Sequence, residues 1–248
     1  MSDNSTFIKK YRPYRLTDFY TNDTFKQAVN TLISVDDINI LFIGNNNSGK
    51  TSLLNTLIRE YYDLSTTDSL PENNILFVNN LKEQGIQYFR NDMKTFCQSM
   101  SSIYGKKKLV LIDDIDTINE QSQQVFRNYI DKYRNNIQFI CVCNNVQKVV
   151  ESIQSRLHII QIPSPNNLQI KTLMNKIITN ERIVVDEETK DYILTISNKS
   201  IRRMVSILEK LYIYNKPITK ELCVKISSII SFTQFENYIS MLQSNNLH

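Results

Sequence analysis

Five short apolar runs recur along the first two thirds of the chain, separated by stretches with helical spacing. The runs are hydrophobic at consecutive positions rather than at alternate ones, which is typical of strands covered on both faces. Because strands alternate with helices, we expect an α/β domain with a parallel five-stranded sheet. The predicted strands are Ile38–Ile43, Ile75–Val78, Leu109–Ile112, Ile137–Val142 and Leu157–Ile162.

Helical spacing is clearest over Ile86–Met100 and Glu120–Tyr133, and it dominates after Pro163 and Pro165. The two prolines indicate a hinge between segments. We predict an α/β core over 1–163, a small helical lid over 164–230 and a short helix within 231–248. The helices predicted in this last third are Asn167–Thr179, Glu187–Ser197, Ser200–Tyr214, Lys220–Ile230 and Phe232–Leu242, with Asp186 and Ser200 as N-caps.

A phosphate-binding loop of the pattern G-x-x-x-x-G-K-[ST] follows the first predicted strand and precedes a helical run, which is the context that this motif requires. Free backbone N–H groups and the helix dipole favour a polyphosphate at that position. Lys50 can reach the β- and γ-phosphates, and the Thr51 hydroxyl can ligate Mg²⁺. The predicted binding residues are Gly44, Asn45, Asn46, Asn47, Ser48, Gly49, Lys50, Thr51 and Ser52.

Polar side chains stand at the carboxyl ends of two further strands. Asp113 is placed to hold Mg²⁺ opposite Thr51, and Asp114 is placed to orient or polarise an attacking water. An ordinary acidic turn after a strand is the alternative, and the phosphate loop makes it less attractive. Asn144 follows the next strand, where its amide can hydrogen-bond the γ-phosphate or simply form a turn.

Several basic residues have two possible interpretations. Arg156 precedes the last predicted strand. It could be an arginine finger that stabilises the charge on a phosphate of a neighbouring subunit, or it could be a solvated surface residue. Arg202 and Arg203 open a lid helix, and one of them could contact a nucleotide phosphate. Arg90 and Lys94 lie four residues apart and could follow a nucleic-acid backbone, although spacing alone favours a solvated helix face.

Composition narrows the class of protein. The 248 residues are 41% hydrophobic, and the net charge of +4 does not by itself indicate nucleic acid. Apolar runs fall short of the roughly 18 residues that span a bilayer, and the polar N-terminus differs from a signal peptide. We therefore expect a soluble intracellular protein without membrane contact. Cys141 and Cys143 are expected to be buried thiols rather than metal ligands.

Several motifs, in the same order along the chain, resemble the small subunits of replication factor C, the sliding-clamp loader within the AAA+ ATPases. The resemblance runs from about Lys9 to Leu211. The matching segments are Lys10–Phe19 (similar to "KYRPxxLxDx"), Gly85–Phe96 ("GIxxVRxxIKxFA"), Leu111–Asp116 ("LDEAD"), Ile153–Leu157 ("IQSRC") and Ser200–Met204 ("GDxRRA").

The resemblance implies an AAA+ P-loop core with a helical lid, binding ATP and Mg²⁺. It also implies that Arg156 acts in trans on a neighbour's ATP and that Asp114 takes the place of the family's catalytic glutamate. The other residues to which it gives a role are Tyr11, Arg12 and Pro13 beside the adenine, Asn144 as sensor 1, Arg202 as sensor 2, and Arg90 and Lys94 as DNA contacts.

Two departures from the family pattern stand out. Asp114 is one methylene shorter than glutamate, so we expect ATP hydrolysis to be weak. Residues 231–248 are too short for the family's C-terminal collar domain and are interpreted as its remnant, as in a shortened, viral member.

By resemblance, the expected function is that of an ATPase subunit that loads a sliding clamp at primer–template junctions. Its partners would be other loader subunits, the clamp and primed DNA, in a nucleus or at a viral replication site. One alternative is a non-hydrolysing ATP-binding subunit of the loader. Another is a different AAA+ replication ATPase, such as an initiator or a helicase loader.

Overall fold

The computed structural model describes residues 5–78, 91–214, 222–224 and 232–243. Its contacts divide the chain into two compact units. One unit runs from Arg12 to Pro165 and contains the sheet. The other joins the segment ending at Tyr11 to the residues from Asn166 onward and is helical where it is described.

The sheet has five parallel strands in the order β2-β3-β4-β1-β5, which confirms the predicted fold class. Each predicted strand is present, with ends that shift by at most two residues. The observed strands are β1 (Ile40–Ile43), β2 (Ile75–Val78), β3 (Lys108–Ile112), β4 (Ile137–Cys143) and β5 (His158–Gln161).

Side chains from both faces of the central strands are buried. Leu41, Val110 and Phe139 lie in one core cluster, whereas Phe42 and Leu111 lie in the other. Every residue of β3 and β4 is buried, but edge strand β5 is largely exposed. Burial on two faces explains why the central strands read as continuous hydrophobic runs instead of alternating ones.

The first strand begins two residues later than predicted, at Ile40. At Ile38 and Asn39, which precede β1, side chains make part of the hydrogen bonding between this segment and β4. The Gln138 side chain accepts from Ile38 N at 3.1 Å, and the Asn39 side chain accepts from Phe139 N at 2.9 Å. Gln138 also donates to the Asp36 carbonyl at 2.6 Å, so a buried polar residue ties the chain entering β1 to β4.

Asparagine and aspartate begin most of the longer helices by accepting a backbone N–H with their side chains, as N-caps do. In the sheet unit Asn22 caps one helix and Asn119 another, at 3.0 and 2.8 Å. The helices of this unit are Asp23–Ser34, Lys50–Tyr61, Glu120–Tyr133 and the short Glu151–Gln154, together with a helical stretch at 91–98. The rest of the predicted helix Ile86–Met100 before residue 91 lies outside the described residues.

The helical unit follows the predicted pattern, with Asp186 accepting from Thr189 N at 2.7 Å and Ser200 from Arg203 N at 3.3 Å as expected caps. Its helices are Phe7–Lys10, Asn167–Asn180, Glu187–Ser197, Ile201–Tyr214 and Phe232–Gln243. Of the predicted helix Lys220–Ile230, only 222–224 is described, and it is helical.

The first residues group with the helical unit, whereas the sequence placed them in the α/β core. Local contacts explain the difference. Phe7 N donates to Glu209 at 2.9 Å, and the Phe7 ring lies 5.2 Å from that of Tyr212. The Tyr11 hydroxyl donates to Glu181 at 2.5 Å, and burial together with that carboxylate raises the pKa of Tyr11 to about 12.

Lys108 is a buried lysine at the start of β3, with only 2% of its surface exposed. Its Nζ donates to the Phe96 carbonyl at 2.7 Å and to Ser99 Oγ at 2.5 Å, at the end of the 91–98 helix. The ammonium also lies 3.7 Å from the centroid of the Phe96 ring. A cation at a helix C-terminus satisfies its free carbonyls and complements its dipole.

We predict that Lys108→Met lowers the free energy of unfolding at pH 7 by about 1–3 kcal/mol, because the Phe96 carbonyl and Ser99 Oγ both lose the hydrogen bond from the ammonium. Ser99 Oγ still donates to the Phe96 carbonyl at 2.9 Å in the variant's starting geometry. Burial lowers the pKa of Lys108 below its ordinary 10.5. The unfolded chain therefore binds more protons between the lowered value and 10.5, so the native protein gains stability relative to the variant as pH rises through that window. Denaturant titrations at several pH values measure both effects.

Lys94→Met serves as the control, since Lys94 is exposed on the same 91–98 helix. It should leave unfolding unchanged. Equal stability of Lys108→Met and the native chain would contradict the capping role of Lys108.

Candidate nucleotide site

The loop Gly44–Thr51 connects β1 to the helix Lys50–Tyr61, and two glycines shape it. Gly49 sits at the helix N-cap with φ of +88°, a left-handed conformation that favours glycine. A Cβ at Gly44 would come within 2.6 Å of Ser48 Oγ, and one at Gly49 within 3.0 Å of the Phe19 ring. The left-handed φ favours glycine at position 49, whereas a side chain at position 44 would have to displace the Ser48 hydroxyl.

Lys50 lies across the mouth of this loop and is only 9% exposed. Its Nζ donates to the Gly44 carbonyl and the Asn45 carbonyl, each at 3.1 Å, and to Asn144 Oδ1 at 2.6 Å. An ammonium has three protons, so these three acceptors saturate it. A phosphate that reaches Lys50 therefore has to take over at least one of these contacts.

Asp113 and Thr51 face each other across the crevice. Thr51 Oγ1 donates to Asp113 Oδ2 at 3.1 Å. Burial raises the pKa of Asp113 above its ordinary value, the hydrogen bond from Thr51 opposes that shift, and the charge of Asp114 adds to it. A divalent cation between the carboxylate and the hydroxyl would favour the ionised form.

Asp114 and Asn144 lie next to Asp113 and Lys50 at the same end of the sheet. Asp114 adopts φ of +53°, which is uncommon for a residue with a side chain. Asn144 Nδ2 donates to Asp114 Oδ1 at 3.0 Å, so one amide bridges Lys50 and Asp114. The structure thus brings together the ends of β1, β3 and β4, as the sequence predicted from parallel strands.

The residues present fit a magnesium–nucleotide complex. Ser48 has a buried hydroxyl without a hydrogen-bond partner among the described residues, and a Cβ at Gly44 would come within 2.6 Å of it. The N-terminus of the helix Lys50–Tyr61 supplies backbone N–H groups for an anion. Lys50 would hold phosphate oxygens, and Thr51 and Asp113 would hold the metal.

The remaining loop residues are arranged around this crevice. Asn45, Asn46 and Asn47 are exposed, and Asn47 has φ of +65°. Ser52 is half-buried in the first turn of the helix. Their contacts with a nucleotide stay predictions.

The N-terminal segment meets the phosphate-loop helix at two points. Arg12 Nη2 donates to the Thr51 carbonyl at 3.3 Å, and the Pro13 carbonyl accepts from Thr56 at 3.2 Å. Tyr11 belongs to the helical unit, where Glu181 accepts from its hydroxyl. The sequence did not identify Phe19, whose ring contacts Gly49, since only the fold reveals that approach.

Arg156 is held by its own chain. Its Nε donates to Asp131 Oδ1 at 2.5 Å and its Nη1 to the Ser152 carbonyl at 2.7 Å. The other oxygen of Asp131 lies 3.3 Å from Arg127 Nη2. Its bonds with Asp131 raise the pKa of Arg156, so the guanidinium is charged. The sequence missed Asp131, which lies on a different element from Arg156.

The other predicted contacts fall elsewhere in the chain. Arg202 and Arg203 are exposed in the first turn of the helix Ile201–Tyr214 of the helical unit. Lys94 is exposed on the 91–98 helix, whereas Arg90 lies outside the described residues. The roles of Arg202, Lys94 and Arg90 therefore stay predictions.

Cys141 and Cys143 are both buried as free thiols. Across residues 5–78, 91–214, 222–224 and 232–243, no cluster of three or more His, Cys, Asp or Glu side chains could hold a metal ion.

Among the helices in those same ranges, none combines the length and hydrophobicity needed to cross a bilayer.

We predict that Lys50→Ala weakens the affinity of the chain for Mg-ATP at least about 100-fold, because the variant loses the charged donor for the phosphates. Titration with a fluorescent ATP analogue measures this. Lys148→Ala, at an exposed lysine, is the matched control and should bind normally. Unchanged binding by Lys50→Ala would show that the nucleotide lies elsewhere.

Similar proteins support the resemblance seen in the motifs. A protein of Acanthamoeba polyphaga mimivirus named as a replication factor C small subunit, R395, is 26% identical over 248 residues, covering 100% of this chain and 76% of the relative. The replication factor C small subunit of Methanocella arvoryzae is 24% identical over 242 residues, covering 97% and 74%. Replication factor C subunit 3 of Oryza sativa is 27% identical, covering 87% and 59%.

The fold is also found in a bacterial motor protein. The structure of Thermotoga maritima RuvB, a Holliday junction branch migration motor, matches with a TM-score of 0.66 and 13% identity, covering 87% of this chain and 71% of that chain. At this identity the match supports the fold alone.

The family model described as "ATPase family associated with various cellular activities" matches residues 40–164. Because this match covers just over half of the 248 residues, the chain belongs to the AAA family of ATPases.

Proposed function

We propose that the chain is an ATP-binding and ATP-hydrolysing subunit of a sliding-clamp loader in DNA replication. The observation that carries the proposal is a similarity to replication factor C small subunits over nearly the whole chain, combined with an assembled set of Lys50, Thr51, Asp113 and Asn144. We place its activity where DNA is replicated, in a nucleus or at a viral replication site.

The proposed site works mainly by positioning charge. Mg-ATP supplies the phosphoanhydride bond to be cleaved and a cation that neutralises the phosphates. Lys50 binds the phosphate oxygens and Asn144 lies beside them. Asp114 orients and polarises the attacking water. Its side chain is one methylene shorter than that of glutamate and already accepts from Asn144 at 3.0 Å, so we propose slow turnover.

Arg156 is the proposed contribution to a neighbouring subunit's ATP. Its side chain keeps 27% of its surface exposed although Asp131 and the Ser152 carbonyl bind two of its three nitrogens. In the described part of the chain, its Nη2 makes no hydrogen bond. A guanidinium that is fixed by two nitrogens and free at the third is arranged to meet an external phosphate oxygen.

The proposed DNA contact is the helix that carries Lys94, with Arg90 as its predicted companion outside the described residues. The loop after this helix presents two large apolar side chains, since Met100 is 92% exposed and Tyr104 is fully exposed. We propose that this loop contacts the clamp. Large apolar side chains exposed four residues apart on one loop favour a protein partner over solvent.

The helical unit is proposed as the lid of the AAA+ core, with the division near residue 163. Arg202 would contact the bound nucleotide from this unit. The helix Phe232–Gln243 exposes Phe235 and Tyr238, which supports contact with other loader subunits. ATP can drive loader assembly only if the assembled and separate states bind it with different affinities.

A second candidate is a subunit that binds ATP and supplies Arg156 but does not hydrolyse ATP. Asp114 favours it, because its shorter side chain is already hydrogen-bonded to Asn144. A third role, as an initiator or helicase loader, rests only on membership of the family.

In the decisive experiment, the chain is purified together with its co-purifying subunits. ATP turnover is then measured in the presence of the clamp alone, of primed DNA alone, and of the clamp and primed DNA together. We predict the highest turnover with both present. Arg156→Ala should reduce that turnover at least tenfold and leave the ATP affinity of the isolated chain unchanged, because the arginine acts on a neighbour.

The other outcomes separate the candidates. Full stimulation by DNA alone would contradict the loader and favour another motor. ATP binding without turnover favours the second candidate, and Asp114→Glu should then restore hydrolysis. Glu187→Gln, which removes an exposed carboxylate paired with Lys190 in the helical unit, is a control that should change none of these rates.

A further inference from the structure

Asp116 binds the turn that carries Asn144. Its Oδ2 accepts from Asn144 N at 3.2 Å and from Asn145 N at 3.0 Å. The two residues come from separate segments, since Asp116 lies in the short turn Ile115–Thr117 after β3 and Asn144 follows β4. The carboxylate also lies close enough to Cys143 for its charge to act on that thiol, whose pKa rises to about 12 through burial and then through Asp116.

The turn that contains Asp116 does not need this carboxylate for its own shape. Thr117 N and Thr117 Oγ1 both donate to the Asp114 carbonyl, at 2.9 and 2.8 Å, and close the turn locally. The side chain of Asp116 is therefore committed to the neighbouring strand end. Its second oxygen, Oδ1, is buried without a hydrogen-bond partner among the described residues, which is an unfavourable arrangement for an ordinary structural carboxylate.

The segment held by Asp116 carries an Asn144 side chain that is hydrogen-bonded through both its oxygen and its nitrogen. The Asn144 side chain accepts from Lys50 at 2.6 Å and donates to Asp114 at 3.0 Å. Lys50 is the residue that reaches the β- and γ-phosphates in loops of this pattern. The Asn144 amide, which bridges Lys50 and Asp114, therefore lies beside the expected position of the γ-phosphate. That phosphate is present in ATP and absent from ADP.

We propose that Asp116 is a positioning residue that sets the preference of this site for ATP over ADP, by fixing the backbone of Asn144 so that its amide meets the terminal phosphate. The inference rests on the proposed nucleotide site. Asp116 itself does not touch the nucleotide. It acts through Asn144, because its carboxylate holds the backbone from which the amide projects.

The role of Asp116 makes a specific prediction about affinity. Losing a charged acceptor for two amides loosens the Asn144 turn, and hydrogen bonds to charged groups are strong enough to change an equilibrium about tenfold. Asp116→Asn should therefore reduce the ratio of ATP to ADP affinity by about tenfold, with ADP affinity held within about twofold. Asp116→Glu keeps the charge and should retain part of the preference.

The test titrates the full chain with fluorescent Mg-ATP and Mg-ADP analogues and follows thermal unfolding of each variant. A double variant, Asp116→Asn with Asn144→Ala, distinguishes positioning from general damage. If Asp116 acts through Asn144, the double variant has the same ATP-to-ADP ratio as Asn144→Ala alone. Asp68→Asn is the matched control, because Asp68 also accepts a backbone amide, from Ser65 at 2.7 Å.

Three results would overturn the inference: an unchanged affinity ratio in Asp116→Asn, additive losses in the double variant, or a native chain that binds ATP and ADP equally. A different result would reject the nucleotide site instead. If Lys50→Ala binds both nucleotides normally, the failure lies with the proposed function and not with Asp116.

Discussion

Parallel pairing of β4 with both β1 and β3 brings the phosphate loop, the acidic turn and Asn144 to one edge of the sheet. Ile43 lies opposite Cys143, and Ile112 lies opposite Cys141, so the residues that follow these strands emerge side by side. Gly44 N donates to the Cys143 carbonyl at 3.1 Å and extends this pairing into the loop. The contacts of Lys50 and Thr51 with the other two strand ends follow from this register.

A one-residue slip in this pairing would dismantle the site. Successive side chains point to opposite faces of a sheet, so a slip would also exchange the two core clusters. Burial of Leu41 and Val110 on one face and of Phe42 and Leu111 on the other opposes any slip. The hydrophobic pattern of the strands therefore fixes the geometry of the polar residues that follow them.

The sequence could predict those parts of the molecule that depend on local pattern. Continuous apolar runs located all five strands, and Asp186 and Ser200 were recognisable as helix caps. The sequence did not predict side chains that form hydrogen bonds between different elements. The side chains of Asn39 and Gln138 make part of the hydrogen bonding before β1, and Phe7 ties the N-terminal segment to the helical unit.

The same limit applied to the candidate site. The loop motif and the strand ends identified Lys50, Thr51, Asp113 and Asn144, since motif spacing and strand polarity are visible in the chain. Asp116 was visible only as the last residue of a matching segment and Asp131 was not identified, because each acts on a residue from another element. Only the folded backbone shows that one carboxylate holds the Asn144 turn and another holds Arg156.

The most direct test of this account is a crystal structure of the chain with Mg²⁺ and a non-hydrolysable ATP analogue. The account predicts a triphosphate at the N-terminus of the helix Lys50–Tyr61, a metal ion between Thr51 and Asp113, and Lys50 bonded to phosphate in place of at least one of its present acceptors. A crevice without nucleotide, or Lys50 still bound to all three acceptors with the nucleotide elsewhere, would contradict it.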